Sequence, residues 1–287
     1  MSNKTLKILV TGANGQLGKC IYDVAKGYPE YSFHFKSSKD LDITDNEALQ
    51  KLFIKEKYNY CINSAAYTAV DKAESNKEAA FLVNAKAVKF LAEVCKKTET
   101  TFIHISTDFV FDGTKTSPYT ETDTPNPINV YGESKLKGEE YIQEILSEYF
   151  IIRTSWVYSE YGNNFVKTML RLGKEREELS VVNDQIGSPT YAGDLANVIL
   201  KIIETRSVNY GLYHYSNEGE ISWFDFAKEI FRINNINIKL SPIKSEEYPT
   251  PAKRPNNSVM VNKKAMEQLD LIVYDMLESL TKNLKNK

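Results

Sequence analysis

Short apolar runs alternate with amphipathic segments along the first half of the chain. Runs rich in branched and aromatic residues predict buried strands at residues 6–11, 31–36, 60–63, 101–106 and 150–154. The segments between them repeat apolar residues every three or four positions, which predicts helices at residues 15–26, 45–55, 77–96 and 129–147. Regular alternation of strands and helices is typical of an α/β fold with a doubly wound parallel sheet.

A glycine-rich turn follows the first predicted strand. Gly12, Gly15 and Gly18 are spaced G-x-x-G-x-x-G and lead into the first predicted helix. Glycines let the backbone approach a pyrophosphate, whose charge is stabilised by the amide groups and the dipole at a helix start. Three glycines also occur in ordinary tight turns, but their place after an N-terminal strand favours a Rossmann-type dinucleotide site.

Beyond residue 154 the pattern becomes less regular. Apolar-periodic helices at residues 164–173, 192–204 and 222–234 are separated by loops that contain prolines. We predict a nucleotide-binding Rossmann domain over residues 1–154. Residues 155–287 are predicted to form mainly a smaller C-terminal substrate-binding lobe, with some segments returning to the Rossmann sheet. The Lys-rich end, residues 281–287, is predicted to be a solvated tail.

Composition narrows the range of partners. The 287 residues carry a net charge of -2, with lysines and acidic residues interspersed, so neither nucleic acid nor a membrane is expected as a partner. The chain passes at once into its first strand, and no apolar run approaches the roughly 18 residues of a membrane span, which predicts a cytoplasmic protein. Three cysteines and three histidines stand apart, so no disulfide framework or zinc site is predicted.

A tyrosine and a lysine four residues apart begin the fourth predicted helix. Tyr131 and Lys135, in the segment V-Y-G-E-S-K, share one helix face. A nearby ammonium favours a phenolate, so Lys135 is expected to lower the pKa of Tyr131. Thr107, at the end of the preceding strand, is placed to hold a carbonyl oxygen while Tyr131 donates a proton to it. This arrangement suits reduction of a ketone, whereas an amphipathic surface helix is the simpler alternative.

These candidate groups are predicted to meet in one cleft. In open α/β sheets, ligands bind outside the carboxyl ends of the strands. The glycine loop, residues 63–68 and residues 106–112 all follow predicted strands. The dinucleotide and the proton donor should therefore converge.

Eight motifs extend over nearly the whole chain. They are T-G-A-N-G-Q-L-G at 11–18, N-S-A-A-Y-T-A-V-D-K-A-E at 63–74, S-T-D-F-V-F-D-G at 106–113, N-V-Y-G-E-S-K at 129–135, R-T-S-W-V-Y at 153–158, G-N-N-F-V-K-T-M-L at 162–170, N-D-Q-I-G-S-P-T at 183–190 and R-P-N-N-S at 254–258. Together they resemble the extended short-chain dehydrogenase/reductases and, among these, the dTDP-4-dehydrorhamnose reductases. The resemblance implies reduction of dTDP-4-dehydro-L-rhamnose to dTDP-L-rhamnose by hydride transfer from a nicotinamide cofactor.

The resemblance also implies roles for the residues around the reacting carbonyl. Tyr131 is the proton donor, Lys135 holds the nicotinamide ribose, and Thr107 binds the C4 oxygen. Asp108 is either a ligand of a sugar hydroxyl or a cap of its βα loop. Asn84 supports the active-site loops.

Further positions are implied for the nucleotide sugar. Val70 and Trp156 either line the sugar pocket or pack in the core. Arg254 either binds the nucleotide diphosphate as a bidentate fork or forms a surface ion pair. Additional hydrogen bonds to the nucleotide are implied for Asn163, Asn164, Gln185 and Thr190.

Cofactor preference depends on the end of the second strand. Lys36, Ser37, Ser38 and Lys39 accommodate a 2′-phosphate, whereas Asp40 favours NADH, so we predict NADPH with NADH also usable. Asp42 either approaches the adenine or caps the following helix. The full set of predicted cofactor-binding residues is Gly12, Asn14, Gly15, Gln16, Leu17, Gly18, Ser37, Lys39, Asp42, Ile43, Ala65, Ala66, Tyr67, Thr68, Tyr131 and Lys135.

One departure from the family concerns metal and assembly. Some members bind Mg²⁺ through glutamates at a dimer interface, and the matching positions here are Cys20, Gly193 and Lys282. None of them suits a hard cation. We therefore predict no metal site, and a monomer or a dimer that is not bridged by Mg²⁺.

Two alternatives to this reductase remain open. One is another nucleotide-sugar 4-ketoreductase or epimerase of the extended family, which shares the glycine loop, the tyrosine and the lysine. The other is a non-catalytic regulatory subunit with the same fold. The presence of Thr107, Tyr131 and Lys135 together argues against the second alternative.

Overall fold

The computed structural model describes residues 5–285. Its strands are β1 (Lys7–Thr11), β2 (Ser32–Lys36), β3 (Tyr60–Asn63), β4 (Thr101–Thr107), β5 (Tyr149–Thr154), β6 (Val157–Tyr158), β7 (Glu178–Val182), β8 (Ile186–Gly187), β9 (Thr190–Tyr191), β10 (Gly211–His214), β11 (Ile221–Ser222) and β12 (Lys239–Ile243). Its α-helices are α1 (Gln16–Ala25), α2 (Asn46–Glu56), α3 (Val70–Ser75), α4 (Lys77–Phe81), α5 (Ala87–Thr98), α6 (Val130–Ile145), α7 (Phe165–Glu175), α8 (Ala192–Glu204), α9 (Trp223–Ile233), α10 (Lys263–Leu269) and α11 (Met276–Lys285).

A six-stranded parallel sheet has the order β10-β5-β4-β3-β1-β2, which confirms the predicted α/β fold. The order reverses between β1 and β3, so the loops after these strands border a crevice, as in other doubly wound sheets. The strand β10, from the C-terminal half of the chain, forms one edge of the sheet beside β5. The sequence pattern did not predict this strand.

Both faces of the sheet are covered by helices. On one face the core packs β1 and β5 side chains against α1 and α8, and on the other the helices α2, α5 and α6 cover β3 and β4. All four residues of β3 are buried. Burial on both faces explains why these strands read as continuous apolar runs rather than as alternating patterns.

The helix predicted at residues 77–96 differs from the one observed. It consists of α4, a π-helical stretch at Leu82–Lys86, and α5, which follows without a break. The short helix α3, which was not predicted, precedes it. The residues at 281–285 are not a solvated tail, because they complete α11, where Leu280 and Asn283 are buried. Residues 1–4 and 286–287, included in the predictions for the two chain ends, lie outside the described residues.

The C-terminal half adds a smaller lobe with its own core. Pairs of short strands, β7 with β12 and β8 with β11, pack with α7, α9 and α11 around Phe226 and Phe231. This lobe lies beside the carboxyl ends of the sheet strands, since Val157 and Trp223 share a cleft with the glycine loop. Within residues 5–285, no helix is both long enough and apolar enough to cross a membrane.

Candidate active site

A cleft of about 820 Å³ lies at the carboxyl ends of the sheet strands. Turns after β1, β2, β3 and β4 form one side, and residues after β5 and at the start of α9 form the other. Almost every predicted site residue lies on its wall. Among the described residues, those predicted to bind cofactor or substrate but absent from the wall are Gly18, Lys36, Lys39, Arg254, Asn164, Gln185 and Thr190.

The glycine loop fits a dinucleotide pyrophosphate. Gly12 has a φ of 67°, and a Cβ there would lie 2.6 Å from the amide nitrogen of Ala65. A Cβ on Gly18 would lie 2.4 Å from the Gly12 carbonyl oxygen. Gly18 therefore allows α1 to pack closely against the turn, and it does not itself line the cleft. No side chain caps the start of α1 at Gly15, which leaves amide groups free for an anion.

The end of β2 presents hydroxyl groups to the cleft. Ser37 and Ser38 lie on its wall. The Asp40 carboxylate is turned toward Ser37, whose backbone N–H and Oγ donate to it at 2.9 and 2.6 Å. Asp42 also lies on the wall, whereas Asp45 caps α2 by accepting from the Ala48 N–H. The cap that was considered for Asp42 is therefore provided by Asp45.

Asn84 connects the loop after β3 to the helix that carries Tyr131. Its Oδ1 accepts from the Tyr67 N–H at 2.8 Å, and its Nδ2 donates to Tyr67 O and to Ser134 Oγ at 3.0 Å each. Asn84 lies in the π-helical stretch, where α6 approaches so closely that a Cβ on Gly138 would lie 2.3 Å from Asn84 O. The support of the active-site loops that the resemblance implied is thus visible as direct contacts.

The start of α6 is fixed by two polar side chains. Asn129 Oδ1 accepts from the Gly132 N–H, and Glu74 Oε1 accepts from the Val130 N–H, each at 2.8 Å. These bonds satisfy amide groups that the first turn of a helix leaves without partners. Tyr131, at the second position of α6, therefore has a well-defined place on the cleft wall.

The electrostatics of Tyr131 differ from the sequence expectation. Burial raises the pKa of Tyr131 to about 12, and the negative charge of Asp108 acts in the same direction, while the Thr107 side chain opposes both. The expected lowering by Lys135 was wrong for this structure. Lys135 Nζ instead donates to Ile105 O at 2.6 Å and lies 3.1 Å from His104 Nε2.

Lys135 and Asp108 are buried groups with shifted pKa values. Burial lowers the pKa of Lys135 to about 8, although the carboxylate of Glu139 opposes this shift. Burial raises the pKa of Asp108 to about 6, against hydrogen bonds from Ser258 and Thr107. Strongly perturbed groups gathered in one cleft are typical of an active site.

The sugar side of the cleft contains a pair of stacked tryptophans. Trp156 and Trp223 lie parallel, with ring centroids 3.4 Å apart and an angle of 4° between the rings. Trp156 has a φ of 49°, which is unusual for a bulky residue, and Gly187 leaves room for its ring. Val70 also lines the cleft. Sequence reasoning missed Trp223, since nothing local distinguishes it from an ordinary first-turn helix residue.

Arg254 forms a bidentate ion pair with Asp71. Its Nη1 and Nη2 donate to the two carboxylate oxygens at 3.1 and 2.8 Å, and this guanidinium holds the pKa of Asp71 below its usual value. The backbone N–H of Ala252 donates to the same carboxylate. The pair therefore joins α3 to the C-terminal loop at the edge of the cleft.

The other polar residues predicted to contact the nucleotide occupy different places. Asn163 lies on the cleft wall, and Asn164 caps α7 and donates to Gln16 Oε1 at 2.8 Å. Gln185 donates to Ser245 Oγ, and Thr190 is completely buried. Only Asn163 of these four therefore reaches the cleft directly.

Two of the positions matched to metal ligands, Lys282 and Cys20, have surroundings that can be described. Lys282 Nζ lies 3.3 Å from Asp194 Oδ1, and Cys20 is a buried free thiol. Within residues 5–285, no group of three or more His, Cys, Asp or Glu side chains is arranged to hold a metal ion. The predicted absence of a Mg²⁺ bridge stays a prediction.

Comparison with known proteins identifies the family. Residues 6–287 match the family model described as RmlD substrate binding domain. A dTDP-4-dehydrorhamnose reductase of Aggregatibacter actinomycetemcomitans is 41% identical over 97% of this chain and 98% of its own length.

Solved structures agree with the sequence comparison. A dTDP-4-dehydrorhamnose reductase of Clostridium acetobutylicum has a TM-score of 0.94 and 45% identity, covering 98% of this chain and 99% of its own. One from Bacillus anthracis in complex with NADP has a TM-score of 0.94 and 41% identity, covering 99% and 100%. This chain therefore belongs to the dTDP-4-dehydrorhamnose reductase family.

Proposed function

We propose that this chain reduces the 4-keto group of dTDP-4-dehydro-L-rhamnose to give dTDP-L-rhamnose, with NADPH as reductant. The observation that carries the proposal is the meeting of Thr107, Tyr131 and Lys135 on the wall of a cleft that begins at the glycine loop. Membership of the family supports this reaction, and the NADP bound to the relative from B. anthracis supports the cofactor. A cytoplasmic location and an assembly without Mg²⁺ remain predictions.

We assign the cofactor to the part of the cleft formed by the turns after β1, β2 and β3. The free amide groups at the start of α1 would hold the pyrophosphate. Ser38 would donate a hydrogen bond to the 2′-phosphate, and Ser37 would do so once its hydroxyl turns away from Asp40. Lys39, which is exposed, follows them in the chain and would add a positive charge. Asp42 would lie beside the adenine. When bound, NADPH supplies the hydride for C4 of the sugar.

Tyr131 then donates the proton to the C4 oxygen. With its pKa raised to about 12, the phenol is protonated at neutral pH, and this is the form that a reduction requires. Negative charge would grow on the C4 oxygen during reduction, and Thr107 would stabilise it by turning its hydroxyl from Asp108 Oδ1 to that oxygen. Lys135, held by Ile105 O and His104, would bind the nicotinamide ribose.

The sugar and its diphosphate are assigned to the opposite side of the cleft. Val70 and the stacked Trp156 offer an apolar wall for one face of a deoxysugar. Asp108, buried at the cleft, would accept a hydrogen bond from a sugar hydroxyl. Arg254 would bind the diphosphate. The diphosphate must then either share the guanidinium with Asp71 or displace Asp71 from it.

The test is the loss of NADPH absorbance with purified protein and dTDP-4-keto-6-deoxyglucose, offered with and without a 3,5-epimerase. We expect consumption only when the epimerase is present, because the enzyme would require the L-configured ketosugar. Consumption without the epimerase would indicate a different 4-ketoreductase. No consumption in either mixture would overturn the proposal, since both an epimerase and a regulatory subunit leave NADPH unchanged.

A further inference from the structure

Four buried side chains form one hydrogen-bonded line beneath the cleft. Lys135 Nζ lies 3.1 Å from His104 Nε2, and His104 Nδ1 lies 3.0 Å from Asn63 Nδ2. Asn63 Oδ1 lies 2.6 Å from Thr11 Oγ1. Thr11, Asn63 and His104 are directly opposed on the adjacent strands β1, β3 and β4, and each of the four side chains is at most 2% exposed. Since Thr11 precedes Gly12, the line connects Lys135 with the glycine loop.

The hydrogen-bond pattern and the burial of this line together indicate that His104 is neutral while Lys135 is an ammonium. A doubly protonated imidazole has two N–H donors and no acceptor, so it could not accept a hydrogen bond from the Lys135 ammonium. It would also place two buried positive charges 3.1 Å apart. Burial and the charge of Lys135 both lower the pKa of His104 well below its usual value.

A neutral His104 leaves two consistent arrangements of the line. In the first, Nδ1 carries the proton, Nε2 accepts from the Lys135 ammonium, and Asn63 turns its carbonyl oxygen toward His104 and its amide group toward Thr11. In the second, Nε2 carries the proton and donates to a neutral Lys135 amine, while Asn63 donates to Nδ1 and accepts from Thr11. The carboxamide fits both because its oxygen and nitrogen occupy nearly equivalent positions.

We propose that His104, backed by Asn63 and Thr11, is a positioning residue that holds the Lys135 ammonium, and that the whole line exchanges donors for acceptors when Lys135 loses its proton. The glycine loop and the catalytic lysine are thereby connected through the sheet, since both arrangements end on Thr11. The inference rests on the proposed function only in assigning Lys135 to the reaction.

Lys135 reaches both proton states under ordinary conditions. Burial lowers its pKa to about 8, and Glu139 alone opposes that shift, so the ammonium is the main form below this pH and the amine above it. The titratable groups around Lys135 include Tyr131 and Glu139 on its own face of α6, His104 on β4, Asp108 after β4, and Arg153 on β5, which is paired with Glu139. Among the charged groups on the helices beside α6, Glu74 accepts from Val130 N at the start of α6, Lys77 pairs with Glu133 of α6, and Lys89 pairs with Glu93.

Two matched variants test the role of His104. In His104→Gln, the amide oxygen reaches the position of Nε2 and still accepts from Lys135, whereas the shorter side chain of His104→Asn reaches only the position of Nδ1. Without an acceptor the buried ammonium is less stable, so we expect the alkaline pKa in the kcat/KM profile to fall by about one unit in the Asn variant. Its ratio of kcat/KM at pH 8.5 to that at pH 6.5 should be about five- to tenfold below the wild-type ratio. The Gln variant should stay within about twofold of wild type.

Thermal unfolding of each variant serves as the control for folding. The proposal is overturned if the Asn variant keeps the wild-type profile, or if the Gln variant moves as far as the Asn variant at equal unfolding temperature. A general loss of packing would lower activity at every pH without moving the alkaline limb.

NMR of the wild-type protein tests the proposal without a folding defect in a variant and without substrate. The sequence has only three histidines, so the ¹⁵N shifts of the His104 imidazole can be assigned by the loss of signal in His104→Gln. We expect a neutral ring protonated on Nδ1 below pH 7, with the proton moving to Nε2 as the pH rises past about 8. An imidazolium, or one unchanged tautomer across this range, would contradict the proposal. The measurement needs no sugar, so its result stands even if the proposed reductase activity is absent.

Discussion

The two sides of the cleft are built in different ways. The cofactor side uses turns that follow β1, β2 and β3, and its shape depends on contacts between backbones, such as Gly12 against Ala65. The sugar side depends on pairs that are distant in sequence, including Trp156 with Trp223 and Asp71 with Arg254. Parallel strands determine the first side directly, whereas the second exists only after the C-terminal lobe has packed against the sheet.

Because of this difference, one side of the cleft determines cofactor binding and the other determines which substrate binds. On the cofactor side, strand ends and backbone amides determine that a dinucleotide binds, and side chains after β2, such as Ser37 and Ser38, affect the choice between NADPH and NADH. The sugar side is made of side chains from Val70, Trp156 and Trp223, so substitutions there can alter specificity and leave the nucleotide loop intact. Changes on the two sides should therefore have separable effects.

The largest effect is expected where the two sides meet. Tyr131→Phe removes the proton donor but keeps the ring, so kcat should fall by at least about a hundredfold while the Kd for NADPH is unchanged. Single-turnover kinetics and NADPH fluorescence titration measure the two quantities. Turnover near the wild-type rate would remove Tyr131 from the mechanism.

A pair of glycine variants sharpens the contrast between the two sides. Gly12→Ala forces a Cβ into the backbone at Ala65 with a positive φ, which costs about 2 kcal/mol and should raise the Kd for NADPH roughly 30-fold. Gly187→Ala places a Cβ 2.5 Å from Trp156 Cε2 and should raise the KM for the sugar instead, by about tenfold. If either variant weakened the binding of NADPH and of the sugar equally, the two sides of the cleft would not act separately.

The dependence on pH tests the charge of Lys135, which we assign to the cofactor side. Its folded pKa is lowered to about 8, so the ammonium is present below that pH and is lost as the pH rises through it. We expect kcat/KM at pH 9 to be about tenfold below its value at pH 7, because about one lysine in ten stays charged one unit above its pKa. Lys135→Arg remains charged at pH 9, so its profile should be flat across this range. A decline of equal size in that variant would assign the alkaline limb to another group.

The smallest effect is expected from the partner of Trp156. Trp223→Ala removes a parallel stack, and the lost aromatic contact of about 1 kcal/mol should raise the KM for the sugar roughly fivefold. The Kd for NADPH should not change. Trp223→Phe, which retains an aromatic ring, is the matched control and should lie closer to wild type. Equal values of KM for the two variants would show that stacking on Trp156 is unimportant.

The same contrast explains how much of the site could be predicted from sequence. The glycine loop, the strand β1 that precedes it and the Tyr131–Lys135 spacing are local patterns, and the structure has them where the sequence predicts them. Trp223 and the Asp71–Arg254 pair could not be predicted, because they depend on how the C-terminal lobe docks. The edge strand β10 was missed for a related reason: it is only four residues long, and its pairing with β5 is non-local.

The expected effect of Lys135 on Tyr131 shows a further limit. Spacing on a helix determines that two side chains share a face, but it does not determine which groups they hydrogen-bond. His104 and Ile105 O, both on β4, engage the ammonium, and burial then controls the pKa of Tyr131. A helix pattern carries no information about acceptors on a neighbouring strand.

The most direct test of the central claim is the fate of the transferred hydride. Purified protein would be given NADPH deuterated at C4 of the nicotinamide on the transferred face, together with dTDP-4-keto-6-deoxyglucose and a 3,5-epimerase, and the product examined by NMR. We predict dTDP-L-rhamnose with one deuterium at C4 of the sugar. Oxidation of the cofactor without deuterium at that carbon, or a product labelled elsewhere on the ring, would contradict the assignment of this cleft to 4-keto reduction.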